Sequence, residues 1–211
     1  KMDASGSTVD ISAPGGTITV RLGMVGPFNV MNAAGSAAVM TELGYSEDAV
    51  IRGLETLTGV PGRMERVDRG QPFAVIVDYA HTPDALERVL EAVRTACGGR
   101  LIAVFGCGGD RDRGKRPIMG RLATGIADLT FITSDNPRSE EPEAIVREIE
   151  AGAGESGGVY RVQVDRRLAI EAAIAEAGPG DLVVIAGKGH EPYQILKDRT
   201  IHFDDREEAA R

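Results

Sequence analysis

Asp135-Asn136-Pro137-Arg138 sets an acid, an amide and a guanidinium within four residues. Pro137 fixes its own φ and drives Asn136 out of the helical region, which holds the four residues in one extended shape. A guanidinium offers a bidentate fork to a carboxylate, and an acid beside an amide suits an ammonium. The combination fits the zwitterionic end of an amino acid. The same residues also read as an ordinary strand-to-helix turn with a solvated arginine. The tetrad follows the apolar run 126–134, a short buried strand, and precedes a helical pattern over 142–150. Ligands of open α/β sheets sit outside the carboxyl ends of strands, which is where this tetrad falls.

Three more polar loops leave apolar strands in the same way: Asp78–Pro83, Gly106–Arg116 and Gly187–Glu191. Gly106, Gly108 and Gly109 permit close backbone approach, and five basic residues between Arg111 and Arg121 favour an anion. Lys115 is followed by Arg116, so the loop is no P-loop, and it lacks dinucleotide spacing. A solvated basic helix start is the alternative. His81 near a strand end is more often structural than catalytic. No metal-ligand cluster, nucleophile elbow or triad is visible, so no metal site is expected.

The elements positioning these loops divide into two parts. Residues 7–22 alternate apolar and polar on both sides of Pro14-Gly15-Gly16, a hairpin signal, and an isolated hairpin is marginal in water. The receiving sheet is therefore expected upstream of Lys1. Residues 33–43 read as a small-residue helix closed by Gly44, and Ser46 caps a second helix. Residues 57–62 read as a hinge. From Arg63 onward, strands alternate with helices, which predicts a doubly wound, Rossmann-like, mostly parallel α/β sheet. Strands are expected at 73–78, 101–105, around Thr130, 159–164 and 181–186. Pro83 opens a helix burying Leu86, Val89, Leu90 and Val93, and Pro117 one burying Ile118, Met119, Leu122 and Ile126. Pro142 opens a third, and Asp165 caps a fourth that buries Leu168, Ala172 and Ala175. A hairpin over 193–203 and the start of a helix at 205–211 complete the pattern.

A hydrophobic content of 42% over 211 residues supports a substantial core, and no apolar run reaches membrane-spanning length. The net charge of −8 and the lack of tryptophan argue against nucleic-acid binding. Cys97 and Cys107 have no metal-ligand spacing, and the opening residues carry no apolar leader. A cytoplasmic, monomeric protein is expected.

Six motifs, in order along nearly the whole chain, resemble those of the Mur ligase family. They are Phe28-Asn29-Val30-x-Asn32-Ala33, Gly62-Arg63-Met64-Glu65, Asp78–Pro83, Gly106–Pro117, Asp135–Arg138 and Gly187–Glu191. The Asp-Asn-Pro-Arg tetrad resembles that of members adding meso-diaminopimelate; lysine-adding members differ there. By this resemblance Arg111, Asp135, Asn136, Pro137, Arg138, Gly187 and Glu191 hold the diaminopimelate. Asn32, Arg63, Asp78 and His81 would lie around ATP. The resemblance implies an ATP- and Mg2+-dependent amide-bond ligase of peptidoglycan biosynthesis acting on UDP-N-acetylmuramoyl-L-alanyl-D-glutamate through an acyl phosphate. It also implies that residues 1–62 end a central α/β ATPase domain and that 63–211 form the amino-acid-binding domain. The P-loop of that family is not in this chain, so ATP and magnesium would be held mainly upstream and the chain alone would not turn over. An L-lysine-adding or other Mur or folylpolyglutamate ligase, or a non-catalytic anion-binding module, remain the alternatives.

Overall fold

The computed structural model describes residues 2–3, 6–13, 16–24 and 26–211. The Pro14-Gly15 turn lies outside the described residues. Two compact units divide between Val60 and Pro61.

In the first unit, β1 (Met2–Asp3), β2 (Gly6–Ala13) and β3 (Gly16–Leu22) form an antiparallel sheet in that order. The hairpin register pairs Val9 with Val20 and Ile11 with Ile18. Helices α1 (Pro27–Glu42) and α2 (Glu47–Thr56) cover it, and Ile11, Val20, Leu22, Ala33, Ala37 and Val50 form the core. Helix α1 starts six residues before the expected Ala33, because Pro27 occupies the helix start, where its missing N–H has no partner to lose. The Ser46 side chain accepts from Ala49 N, as expected of an N-cap.

The second unit is a six-stranded sheet of β4 (Glu65–Arg66), β5 (Ala74–Asp78), β6 (Leu101–Phe105), β7 (Leu129–Ile132), β8 (Tyr160–Val162) and β9 (Leu182–Ala186). Its spatial order is β4-β5-β9-β6-β7-β8, and only β4 runs antiparallel. Helices α3 (Pro83–Ala96), α4 (Lys115–Ile126) and α5 (Pro142–Ser156) link strands that step one way across the sheet. Helix α6 (Arg166–Glu176) carries the chain back to insert β9. Right-handed crossovers in opposite directions put their helices on opposite faces. Accordingly α3 packs on β6 and β9 and α4 on β7, whereas α6 lies with α7 (Asp205–Ala209). Strand residues of one parity, Val75, Val77, Ile102, Val104, Phe131, Val183 and Ile185, pack with Ala169, Ile170 and Ala173 of α6. A hairpin of β10 (Tyr193–Ile195) and β11 (Thr200–His202) follows β9.

Two helix faces differ from expectation. In α4, Ile118 is 39% exposed and Leu122 only half-buried, while Arg116, Met119, Gly120, Ala123 and Thr124 are buried. In α6, Leu168 is 47% exposed and Ala175 is exposed, while Arg166, Ala169, Ile170 and Ala173 are buried. Each true face begins on a buried arginine, and an arginine read as solvated rotates the inferred face. Arg116 is held by Glu140 and Glu148, and Arg166 is bidentate to Asp205 at 2.7 Å through both nitrogens. Helix α4 also starts two residues before Pro117, which falls within the first turn, where backbone donors are unpaired anyway.

Gly62, expected in the hinge, packs inside the second unit: a Cβ there would stand 2.1 Å from His190 N. Among the described residues no helix is long and apolar enough to cross a membrane.

Candidate amino-acid site at the strand ends

β5, β9, β6 and β7 run parallel as sheet neighbours, so their exits emerge along one edge. A cavity of about 960 Å³ opens there. It is lined by Tyr79 and His81, by Gly106 to Gly108 with Arg111 and Lys115, by Asp135, Asn136 and Arg138, and by Gly187 and Glu191. Tyr193 and Ile195 of the following hairpin complete the wall. Arg138 and Glu191 therefore share one cavity.

The tetrad is clamped from several directions. Asn136 is buried; its Oδ1 accepts from Ile195 N at 3.0 Å and from Lys188 Nζ at 3.1 Å. Its Nδ2 donates to Glu191 Oε2 at 2.9 Å. The Asp135 carboxylate is capped by Asn136 N at 2.6 Å, and Gln194 Nε2 donates to the Asp135 carbonyl at 2.7 Å. Arg138 takes a left-handed φ of 54°, a conformation that costs a branched or long side chain energy, and its N–H donates to Ile195 O at 3.0 Å. Its Nη1 donates to Gly109 O at 2.8 Å and Asn136 O at 3.3 Å. Among the described residues, its other guanidinium nitrogens make no hydrogen bond, so that edge of the fork is available to a carboxylate.

Gly106 and Gly109 at the β6 exit lie against protein backbone, whereas Gly108 faces the Arg138 guanidinium, where a Cβ would stand 2.8 Å from Nη1. A Cβ on Gly106 would stand 2.3 Å from Thr133 O, and one on Gly109 1.9 Å from Pro137 O. These two let the β6 and β7 exits lie against each other. Pro137 serves that contact and does not line the cavity. Gly187 has φ 120°, and a Cβ there would meet Asp135 Oδ2 at 2.7 Å.

At the β5 side, Asp78 is buried; its oxygens accept from Met64 N and Ala80 N, each at 2.8 Å. Burial raises its carboxyl above the ordinary value, against the opposing pull of those amides. Asp78 thus shapes the loop that carries Tyr79 and His81. The Arg63 guanidinium lies 4.9 Å from the Tyr79 ring centroid, and the His81 ring 4.6 Å from it. His81 is exposed and lines the cavity; Arg63 and Asp78 do not line it. Lys115 Nζ donates to His81 O at 2.6 Å. Asn32 belongs to the first unit and is exposed on α1.

Sequence reasoning missed the support beneath the cavity. Arg166 donates to Ser134 O at 3.2 Å and Ala186 O at 3.0 Å, tying the β7 and β9 exits together. Lys188 is fully buried and sits 3.6 Å from Glu191 Oε2, under the Tyr193 ring at 5.6 Å. Burial lowers the Lys188 ammonium from its ordinary value. The one available signal for Lys188 is its place between two glycines directly after a buried strand. Arg116 and Gln194 carry no such signal.

The arrangement holds carboxylates, Asp135 and Glu191, beside cations, Arg111, Lys115 and Arg138. It can grip a small molecule bearing both charges. Among the described residues, no group of three or more His, Cys, Asp or Glu is placed to hold a metal ion.

A family model described as Mur ligase, glutamate ligase domain, matches residues 62–189. The chain is 48% identical over its whole length to a UDP-N-acetylmuramoyl-L-alanyl-D-glutamate–2,6-diaminopimelate ligase of Syntrophomonas wolfei, covering 43% of that protein. It is 57% identical over 187 residues, 88% of the chain and 38% of the relative, to the same-named ligase of Gloeobacter violaceus. A solved structure with that name superposes over 99% of the chain and 43% of its own length, at TM-score 0.75 and 41% identity. A UDP-N-acetylmuramate-alanine ligase from Thermotoga maritima, 19% identical, shares the fold at TM-score 0.68 over 89% of the chain and 40% of its own. The chain thus spans less than half the length of these relatives.

Proposed function

Because the chain belongs to the Mur ligase family, we propose that it is the amino-acid-binding part of an ATP-dependent ligase joining meso-diaminopimelate to UDP-N-acetylmuramoyl-L-alanyl-D-glutamate. The observation that carries this reading is the shared cavity of Arg138 and Glu191, which opposes free guanidinium donors to a carboxylate. Relatives named for that reaction support the choice of substrate.

In this reading Arg138 and Arg111 take the two carboxylates of diaminopimelate, while Glu191 and Asp135 face its ammonium groups. The residues act by positioning. A nucleophilic amine held in line with an acyl phosphate reacts as though at very high concentration, and a filled cavity keeps competing water away. L-Lysine lacks one carboxylate and leaves a guanidinium unpaired, which costs far more than losing a methylene.

ATP belongs to the same proposal, with Arg63 and His81, both set against the Tyr79 ring, as its side-chain contacts and Asp78 acting through the loop it holds. Asn32 is assigned to ATP only by its motif. The described residues do not fit a magnesium site. Cytoplasmic residence and a monomeric state complete the proposal; the free thiols of Cys97 and Cys107 suit a reducing compartment.

The full-length enzyme, supplied with the UDP-muramoyl dipeptide, ATP and either meso-diaminopimelate or L-lysine, tests the reading by phosphate release. Preference for diaminopimelate supports it. Equal or better use of lysine overturns it.

A further inference from the structure

Glu191 has one oxygen engaged and one open. Oε2 accepts from Asn136 Nδ2 at 2.9 Å and lies 3.6 Å from Lys188 Nζ. Among the described residues Oε1 accepts no hydrogen bond. The amide that aims at Oε2 is itself oriented from behind. Asn136 Oδ1 accepts from Lys188 Nζ and from Ile195 N, both obligate donors, so the amide nitrogen has to face Glu191. Lys188 has no exposed surface and does not line the cavity, so it cannot touch a ligand there. Besides Glu191, the charges that act on its ammonium are Asp135 and Asp205, which favour it, and Arg166, which opposes it.

We propose that Lys188 is a positioning residue: its sealed ammonium fixes the Asn136 amide and anchors Glu191 Oε2, so that Oε1 is presented to an ammonium of the amino-acid substrate. A buried cation placed there carries a desolvation cost that the chain could avoid with an apolar side chain. The geometry supplies the reason to keep it. An unanchored Glu191 carboxylate would rotate among several orientations, and a substrate would lose a charge-assisted contact that depends on direction. The inference rests on the amino-acid reading given above, with Glu191 as the ammonium acceptor.

Steady-state kinetics of the full-length ligase with four forms test it: unaltered, K188M, E191Q and the double variant, with K188Q as a second neutral form should K188M not fold. We expect K188M to raise the KM for diaminopimelate about tenfold, the scale of a weakened charged hydrogen bond. The KM for ATP and the thermal midpoint should stay close to those of the unaltered enzyme. On the E191Q background the same substitution should change the diaminopimelate KM less than about twofold, because coupled residues are non-additive. Full additivity, or matched losses in both KM values with a lowered midpoint, would reduce Lys188 to a packing role. If E191Q alone leaves the diaminopimelate KM unchanged, the amino-acid reading of Glu191 falls, and the Lys188 proposal with it. Failure of the Lys188 proposal alone is recognised by a large E191Q effect with an undiminished K188M effect on top.

Discussion

Asn136 and Glu191 stand 55 residues apart in the chain, yet the amide of one donates to the carboxylate of the other at 2.9 Å. The contact joins the exits of β7 and β9, which are not sheet neighbours: β6 lies between them. The site is therefore stitched across an intervening strand. Its expected behaviour follows from which atoms are committed and which are free.

Arg138 has one nitrogen committed to the carbonyls of Gly109 and Asn136 and the rest of its fork available. Arg138→Ala in the full-length enzyme should raise the KM for diaminopimelate strongly, by roughly 2–5 kcal/mol in kcat/KM, while the KM for ATP hardly moves. Steady-state kinetics with each substrate varied in turn would show the split. An unchanged amino-acid KM would leave Arg138 as a turn residue only.

The Arg116 guanidinium holds the Glu140 carboxyl down at about 2, against an ordinary 4.5, while Arg113, helped by Arg116, holds Glu148 low. A carboxyl with a lowered folded pKa adds stability that is complete above its unfolded value and lost as pH falls through the folded one. The second unit should therefore lose roughly 2–3 kcal/mol between pH about 4.5 and about 2 from Glu140. Arg116→Met should destabilise the protein at neutral pH and flatten that acid dependence. Denaturant titrations across the pH range would measure both effects.

Cys107 lies at the cavity wall but is almost wholly buried, and burial pushes its thiol up to about 12. Only the thiolate attacks an alkylating agent. Iodoacetamide at pH about 8 should modify half-buried Cys97 well before Cys107, as peptide mass spectrometry would report. Rapid labelling of Cys107 would mean that the strand-end cavity opens far wider in solution.

Gly152 and Gly125 should respond in opposite senses to alanine. A Cβ on Gly152 would stand 1.8 Å from the Pro117 carbonyl oxygen, where α5 touches α4. Forcing it in should cost about 3 kcal/mol or more. A Cβ on Gly125 meets nothing within 4 Å on its exposed helical face, so Gly125→Ala should stabilise by about 0.5–1 kcal/mol. Thermal melts of the two variants would rank them.

Most of the fold was legible because its punctuation is local. Ser46, Thr82 and Asp165 each cap a helix through a side-chain acceptor where the sequence places one. The strand at 101–105 stands where its apolar run predicts. What stayed hidden depends on long-range partners. Arg116 and Arg166 set the buried faces of α4 and α6, and their carboxylate partners lie on α5, the loop before it and α7. The insertion of β9 between β5 and β6 is likewise a property of the whole sheet. In the site, the tetrad and the Gly187–Glu191 loop announce themselves by proline and glycine after buried strands. Lys188 does not, because a lysine is normally solvated and nothing nearby in sequence marks it as sealed. Nor did glycine richness in the 106–109 segment reveal that Gly106 and Gly109 would lie against protein backbone and Gly108 against Arg138.

The late insertion of β9 also has a consequence for how the protein is made. During synthesis β5 and β6 leave the ribosome long before Leu182–Ala186, which must occupy the slot between them. Neither early strand can seal against the other without excluding the latecomer. The half-built sheet must wait with two apolar edges unpaired, and pairings this distant along the chain form slowly. Release of the polypeptide anywhere before Asp181 should therefore yield a product prone to aggregate, since it lacks the strand that fills the slot.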